Sequence, residues 1–126
     1  LNHYENMMEV YRKTGTLFEN YAPESANPGN PAKGDFVGWA GIIPITVLIE
    51  YVLGIQVHAE KNEIIWYVNN LERHGIKRIP VGRDAYADLI CEARSDANEK
   101  PNITVKSDKK IKITVIYGDN EFVIGE

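Results

Sequence analysis

The sequence predicts an α+β chain, helical up to Gly54 and stranded beyond it. Three observations predict this: a helical period near the N-terminus, an apolar segment bounded by helix signals, and a switch to period-two alternation after Gly54. The helical part is expected to span residues 1–54 and the β-rich part residues 55–126.

Tyr4, Met7, Met8 and Tyr11 fall at the i, i+3, i+4, i+7 spacing of one helical face, and Gly15 stands where a left-handed residue would end the helix. Thr16 to Tyr21 has no helical period. Ala22 to Gly34 is dense in Pro, Ser, Asn and Gly, with Pro23, Pro28 and Pro31 removing backbone donors. Long loops without secondary structure are uncommon in compact domains and are often functional, so this one is a candidate site wall. A second helix is expected from about Gly41 to Leu53, with Pro44 in its first turn and Gly54 as its stop. Only Thr46 and Glu50 are polar in it, so it is expected to be buried on nearly all sides, by upstream helices or by a second copy of the chain.

Seven alternating segments follow: residues 56–59, 63–69, 76–80, 85–92, 102–106, 110–117 and 121–124. Ile111, Ile113 and Val115 alternate with Lys110, Lys112 and Thr114, which suits a sheet with one buried and one wet face. Ser107-Asp108-Lys109 and Gly118-Asp119-Asn120 read as hairpin turns. The expectation is an antiparallel sheet or sandwich.

Composition narrows the function. With 126 residues, 44% of them hydrophobic and 25% charged, the chain can build a core and is unlike disordered sequences. A net charge of −4 without a Lys/Arg block speaks against nucleic acid as a partner. The single cysteine, Cys91, permits no intrachain disulfide, and His3, His58 and His74 lack zinc-ligand spacing, so neither metal nor cofactor is expected. Gly38, Gly41, Pro44 and Glu50 interrupt the apolar stretch from Phe36 to Leu53, which argues for a packed helix over a membrane span. No targeting segment is apparent, the compartment is left open, and the start at Leu1 reads as a cut from a longer polypeptide.

The densest polar and aromatic constellation runs from Phe18-Glu19-Asn20-Tyr21 across the Pro-rich loop to Asp35-Phe36-Val37-Gly38-Trp39. Sugar hydrolysis uses two carboxyl groups flanking the glycosidic bond, with aromatic faces for sugar C–H surfaces. The series Thr14-Gly15-Thr16-Leu17-Phe18-Glu19-Asn20-Tyr21-Ala22-Pro23, then Asp35-Phe36-Val37-Gly38-Trp39, then Ile43-Pro44-Ile45 to Gly54, resembles the C-terminal end of the catalytic domain in glycoside hydrolase family 63 and related bacterial glucosidase or mannosylglycerate-hydrolase-like enzymes. The resemblance covers about the first 54 residues.

That resemblance implies the last helices of an (α/α)6 toroid, followed here by a C-terminal antiparallel β-sheet or sandwich module. It implies an inverting hydrolase acting on α-linked glucosides or related small oligosaccharides, with Glu19 as general base. Asn20, Tyr21, Asp35, Phe36 and Trp39 would then line the carbohydrate site, and the general acid would lie in an upstream catalytic segment of the same protein.

Each residue also has a plainer reading. Glu19 can be a solvated carboxylate past a helix end, Glu24 a turn residue, and Asp35 a cap for the helix that follows. Trp66 and Cys91 alternate as core side chains, and His74 sits in a connection between strands. The alternative to an enzyme is a noncatalytic β-sandwich accessory or carbohydrate-binding module docked by two helices. A homodimer through Ile43 to Leu53 is a further expectation.

Overall fold

The chain is described from a computed structural model that covers residues 2–36 and 38–125, leaving aside the side chains of Trp39 and Ala40. It divides into two compact units, Leu1–Leu48 and Ile49–Glu126.

In the first unit, helix α1 (Asn2–Thr14) buries Met7 and Val10. Glu5 in its first turn and Arg12 and Lys13 in its last oppose the partial charges of the helix ends. The helix stops at Gly15, whose φ of 72° few side chains tolerate and whose N–H donates to the Tyr11 carbonyl at 2.8 Å. A Cβ at Gly15 would meet nothing within 4 Å, so the backbone angle alone, not crowding, favours glycine there.

Helix α2 (Trp39–Thr46) opens at Gly38, whose carbonyl accepts from the N–H groups of Gly41 and Ile42. Pro44 lies inside it and offers no donor to the preceding turn. The segment then widens into a π turn, Val47–Val52. Burial on nearly all sides is not what the structure has. Ile42 is 57%, Ile43 51%, Ile45 49% and Tyr51 77% exposed. Within its unit, α1 is the one other helix that could cover α2 among the described residues, and one neighbour covers one stripe. No helix among the described residues is long and apolar enough to cross a membrane.

The expected end of an (α/α)6 toroid is overturned by these elements. Such a toroid is made of paired long helices, whereas here α2 lasts 8 residues and strands make up most of the remaining regular structure. The fold is a β-rich α+β arrangement with two sheets.

The second unit contains β1 (Ile55–His58), β2 (Glu63–Tyr67), β3 (His74–Gly82), β4 (Ala85–Cys91), β5 (Ile103–Ser107), β6 (Lys112–Tyr117) and β7 (Asn120–Ile124). One sheet has the order β1-β2-β6-β7 and the other β3-β4-β5. All neighbours pair antiparallel except β2 and β6, which are parallel. The expectation of a purely antiparallel module is corrected at that point. Between β2 and β6 the chain builds the whole three-stranded sheet, a long connection of the kind that parallel neighbours require. Gly118 and Asp119 close the β6–β7 hairpin, but Ser107 to Lys109 do not close one, because β5 and β6 belong to different sheets.

Alternation decides which side chains meet. Ile64 and Trp66 of β2, Ile79 and Val81 of β3, Ala87, Leu89 and Cys91 of β4, and Ile113, Val115 and Tyr117 of β6 form one core. Each fully buried large side chain contributes about 1.5–3 kcal/mol by leaving water. Trp66 is wholly buried, donates Nε1–H to the Leu53 carbonyl at 2.8 Å and meets His74 edge to face at 5.8 Å. Burial raises the Cys91 thiol above its ordinary range and keeps it protonated.

Among the described residues, Arg94 is the charged side chain that is buried. The Arg94 guanidinium donates to the carbonyls of Val68 at 2.7 Å and of Ala97 and Glu99 at 2.9 Å, tying the chain after β2 to the loop after β4. Charged donors to carbonyls give stronger bonds than neutral ones. Glu99 closes the same loop by accepting from the backbone N–H and the hydroxyl of Ser95, both at 2.8 Å.

Leu89→Ala should cost about 2–5 kcal/mol in urea unfolding, whereas Ile42→Ser should change stability by no more than about 0.5 kcal/mol. The bonds from Ser95 hold the Glu99 carboxyl below its ordinary value of 4.5. Its contribution is therefore complete above that pH and is lost as acid protonates the folded form. The melting temperature should fall below about pH 4.5, and Glu99→Gln should make that fall shallower.

Candidate functional site

The segment between α1 and α2 folds back on itself as two arms. Backbone bonds join them: Glu19 N–H to Lys33 O at 2.9 Å, Gly29 N–H to Asn20 O at 3.1 Å, Ala22 N–H to Asn27 O at 3.0 Å, and Phe36 N–H to Leu17 O at 3.3 Å. Isolated β-bridges pair Phe18 with Gly34 and Tyr21 with Pro28. The prolines explain why this remains a braced loop and not a sheet, since each one removes a ladder donor.

Glu19, Asn20 and Tyr21 lie on the first arm, and Asp35 and Phe36 on the second. Glu19 is half-buried, with its backbone fixed by the Lys33 carbonyl. Among the described residues no donor engages its carboxylate. Asn20 is exposed and donates Nδ2–H to the Pro31 carbonyl at 3.2 Å. The Tyr21 hydroxyl accepts the Phe18 N–H at 3.1 Å, and the two rings meet nearly perpendicular, 6.3 Å between centroids. Phe36 is half-buried, with the Lys33 ammonium 5.8 Å from its ring centre. Val37 and the Trp39 side chain, expected as motif and sugar wall, lie outside the described residues.

Asp35 does not cap α2, which begins at Gly38 without a side-chain cap. It is bound to Thr16 instead. The Thr16 hydroxyl donates to Asp35 Oδ1 at 2.5 Å and accepts the Asp35 N–H at 3.1 Å. This closed pair accompanies a φ of 53° at Asp35, a conformation that aspartate tolerates better than most residues.

Two residues given no role of their own in the sequence reading shape the loop. Thr16 anchors the second arm. Gly29 lets it approach the first, because a Cβ there would overlap Asn20 Oδ1. A Thr–Asp pair 19 residues apart and an Asn–Gly approach across a loop carry no local signature.

Concavities lie within this unit among the described residues. One, of about 420 Å³, is lined by Asn2, Glu5, Asn6, Pro23 and Glu24. Another, of about 230 Å³, is apolar and lined by Met8, Tyr11, Leu17, Pro44, Ile45 and Leu48. Glu19 lines neither. Among the described residues no group of three or more His, Cys, Asp or Glu side chains is placed to hold a metal ion.

The chain matches no protein-family model, no curated protein and no solved structure.

Gly29→Ala should loosen the two arms by displacing Asn20, seen as faster proteolytic cleavage between residues 22 and 34. Adding Asn20→Gly removes the overlap and should restore part of the protection.

Proposed function

We propose that this chain supplies the general base of an inverting glycoside hydrolase acting on α-linked glucosides or related small oligosaccharides, with Glu19 in that role. The observation that carries the reading is the contrast between two carboxylates of one braced loop. Asp35 is committed to the Thr16 hydroxyl, while Glu19 has a fixed backbone and a part-exposed carboxylate that no donor among the described residues engages. A general base needs a free lone pair on a positioned group.

In this reaction the ionised Glu19 carboxylate accepts a proton from a water molecule as the water oxygen attacks the anomeric carbon. The glycosidic C–O bond breaks, and the leaving oxygen takes a proton from an acid contributed by another segment of the polypeptide. The two carboxyl groups of inverting enzymes stand about 6.5–9.5 Å apart, which leaves room for that water. Tyr21 and Phe36 offer rings, and Asn20 an amide, for sugar contacts. The resemblance of the Glu-Asn-Tyr and Asp-Phe-Val-Gly-Trp series to family 63 enzymes supports the same assignment.

In the intact polypeptide, Glu19→Gln should lower kcat by about 10²–10⁴-fold while leaving the melting temperature within a degree or two, because glutamine keeps the shape but cannot take the proton. Steady-state kinetics on candidate α-glucosides measures this. A kcat within about tenfold of the parent would remove Glu19 from the role.

A further inference from the structure

The outer face of the β3-β4-β5 sheet carries a groove lined by residues of the second unit. Two adjoining concavities, of about 280 and 570 Å³, share Lys77, Asp88 and Lys106. The larger volume is in the range of about 300–1,000 Å³ that holds small molecules, and the smaller lies just under it.

The groove owes its composition to a β-bulge. Ile76 pairs with Leu89 and Ile79 with Ala87, so Lys77 and Arg78 together face the single residue Asp88. Strict alternation would send Lys77 and Arg78 to opposite faces, yet both line the groove. Arg78 holds a φ of 56°, and its N–H, freed from the ladder, donates to Asp88 Oδ1 at 2.8 Å. The bulge itself accounts for that angle, and the Asp88 carboxylate holds it in place.

Charge then selects the ligand. The groove holds four basic residues and three acidic ones, in a chain whose net charge is −4. Each acid already has a partner: Glu92 accepts from Arg73 at 3.0 Å, Asp88 from the Arg78 N–H, and Asp108 from the Tyr86 N–H at 2.9 Å. The cations are less engaged. The Arg78 guanidinium lies over the Tyr86 ring at 4.8 Å, and among the described residues neither Lys77 nor Lys106 has an ion-pair partner.

We propose that this groove binds a small molecule bearing an oxyanion, a carboxylate or a phosphate, between Lys77 and Lys106, with Arg78 and Tyr86 contributing at one end. Lys77 and Lys106 line both concavities on either side of Asp88, whose Oδ1 accepts the Arg78 N–H, and their ammonium groups, without ion-pair partners among the described residues, present charge-assisted donors to such a group. The overall negative charge of the chain disfavours a long polyanion and favours a compact ligand.

The test is a titration of the isotopically labelled full chain with inorganic phosphate, glucuronate and, as a neutral control, glucose, followed by amide chemical shifts. Phosphate, glucuronate or both should shift the amides around Lys77, Asp88 and Lys106, and the arm that binds identifies the source of the anion. Glucose should not. The double variant Lys77→Gln, Lys106→Gln changes exposed side chains only, and its spectrum reports its fold. It should bind about tenfold or more weakly, while Lys110→Gln, outside the groove, should bind as the parent does. The proposal is overturned if neither anion shifts these amides, if glucose shifts them equally, or if the double variant binds within twofold of the parent.

Discussion

Everything in the Ile49–Glu126 unit rests on two sheets sharing one apolar interior. Trp66 occupies that interior with no exposed surface, and Ile64, Leu89, Ile113 and Val115 surround it at the same depth. A side chain of that size can be buried only if its one polar atom is satisfied, and the Leu53 carbonyl satisfies it. The bond also fixes how the chain enters β1. Once Trp66 faces inward, the period of two orients every other residue of β2, and the pairing of β2 with β1 and β6 carries the same orientation across the sheet.

The same constraint separates structural residues from available ones. With Ala87 and Leu89 turned inward, Tyr86, Asp88 and Ile90 must face outward, and so the outer surface of the β3-β4-β5 sheet collects its charges by geometry. The bulge at Lys77 and Arg78 breaks the rule locally and puts two cations where alternation allows one. Arg94 shows the opposite solution. A charge that the loop after β4 carries inside is tolerated because backbone carbonyls surround it, and it then acts as a clamp between two connections.

In the Leu1–Leu48 unit the organising force is hydrogen bonding more than burial. The two arms of the loop are held by backbone bonds, by the Thr16–Asp35 pair and by Asn20 on the Pro31 carbonyl. Polar bracing of this kind fixes a backbone while leaving side chains such as Glu19 partly open to water, an arrangement suited to a site more than to a core.

Much of this was legible in the residues. The helix ending at Gly15 and all seven strands lie within two residues of the segments that periodicity marks, because period and stop signals are local properties of the chain. Glu19-Asn20-Tyr21 could be singled out as a dense polar and aromatic run for the same reason. The length and surroundings of the second helix could not. An all-apolar segment reads as a buried one, but whether neighbours cover it depends on what else the chain places beside it, and here Ile42, Ile43 and Tyr51 remain exposed. The bond between Thr16 and Asp35 spans 19 residues, the parallel pairing of β2 with β6 spans an entire sheet, and the Lys77–Lys106 groove joins two strands that do not neighbour each other. The sequence by itself determined the elements and their inward faces, since those follow from spacing along the chain. Only the tertiary structure decided which carboxylates are occupied and which cations line one groove, because those depend on contacts between residues far apart in sequence.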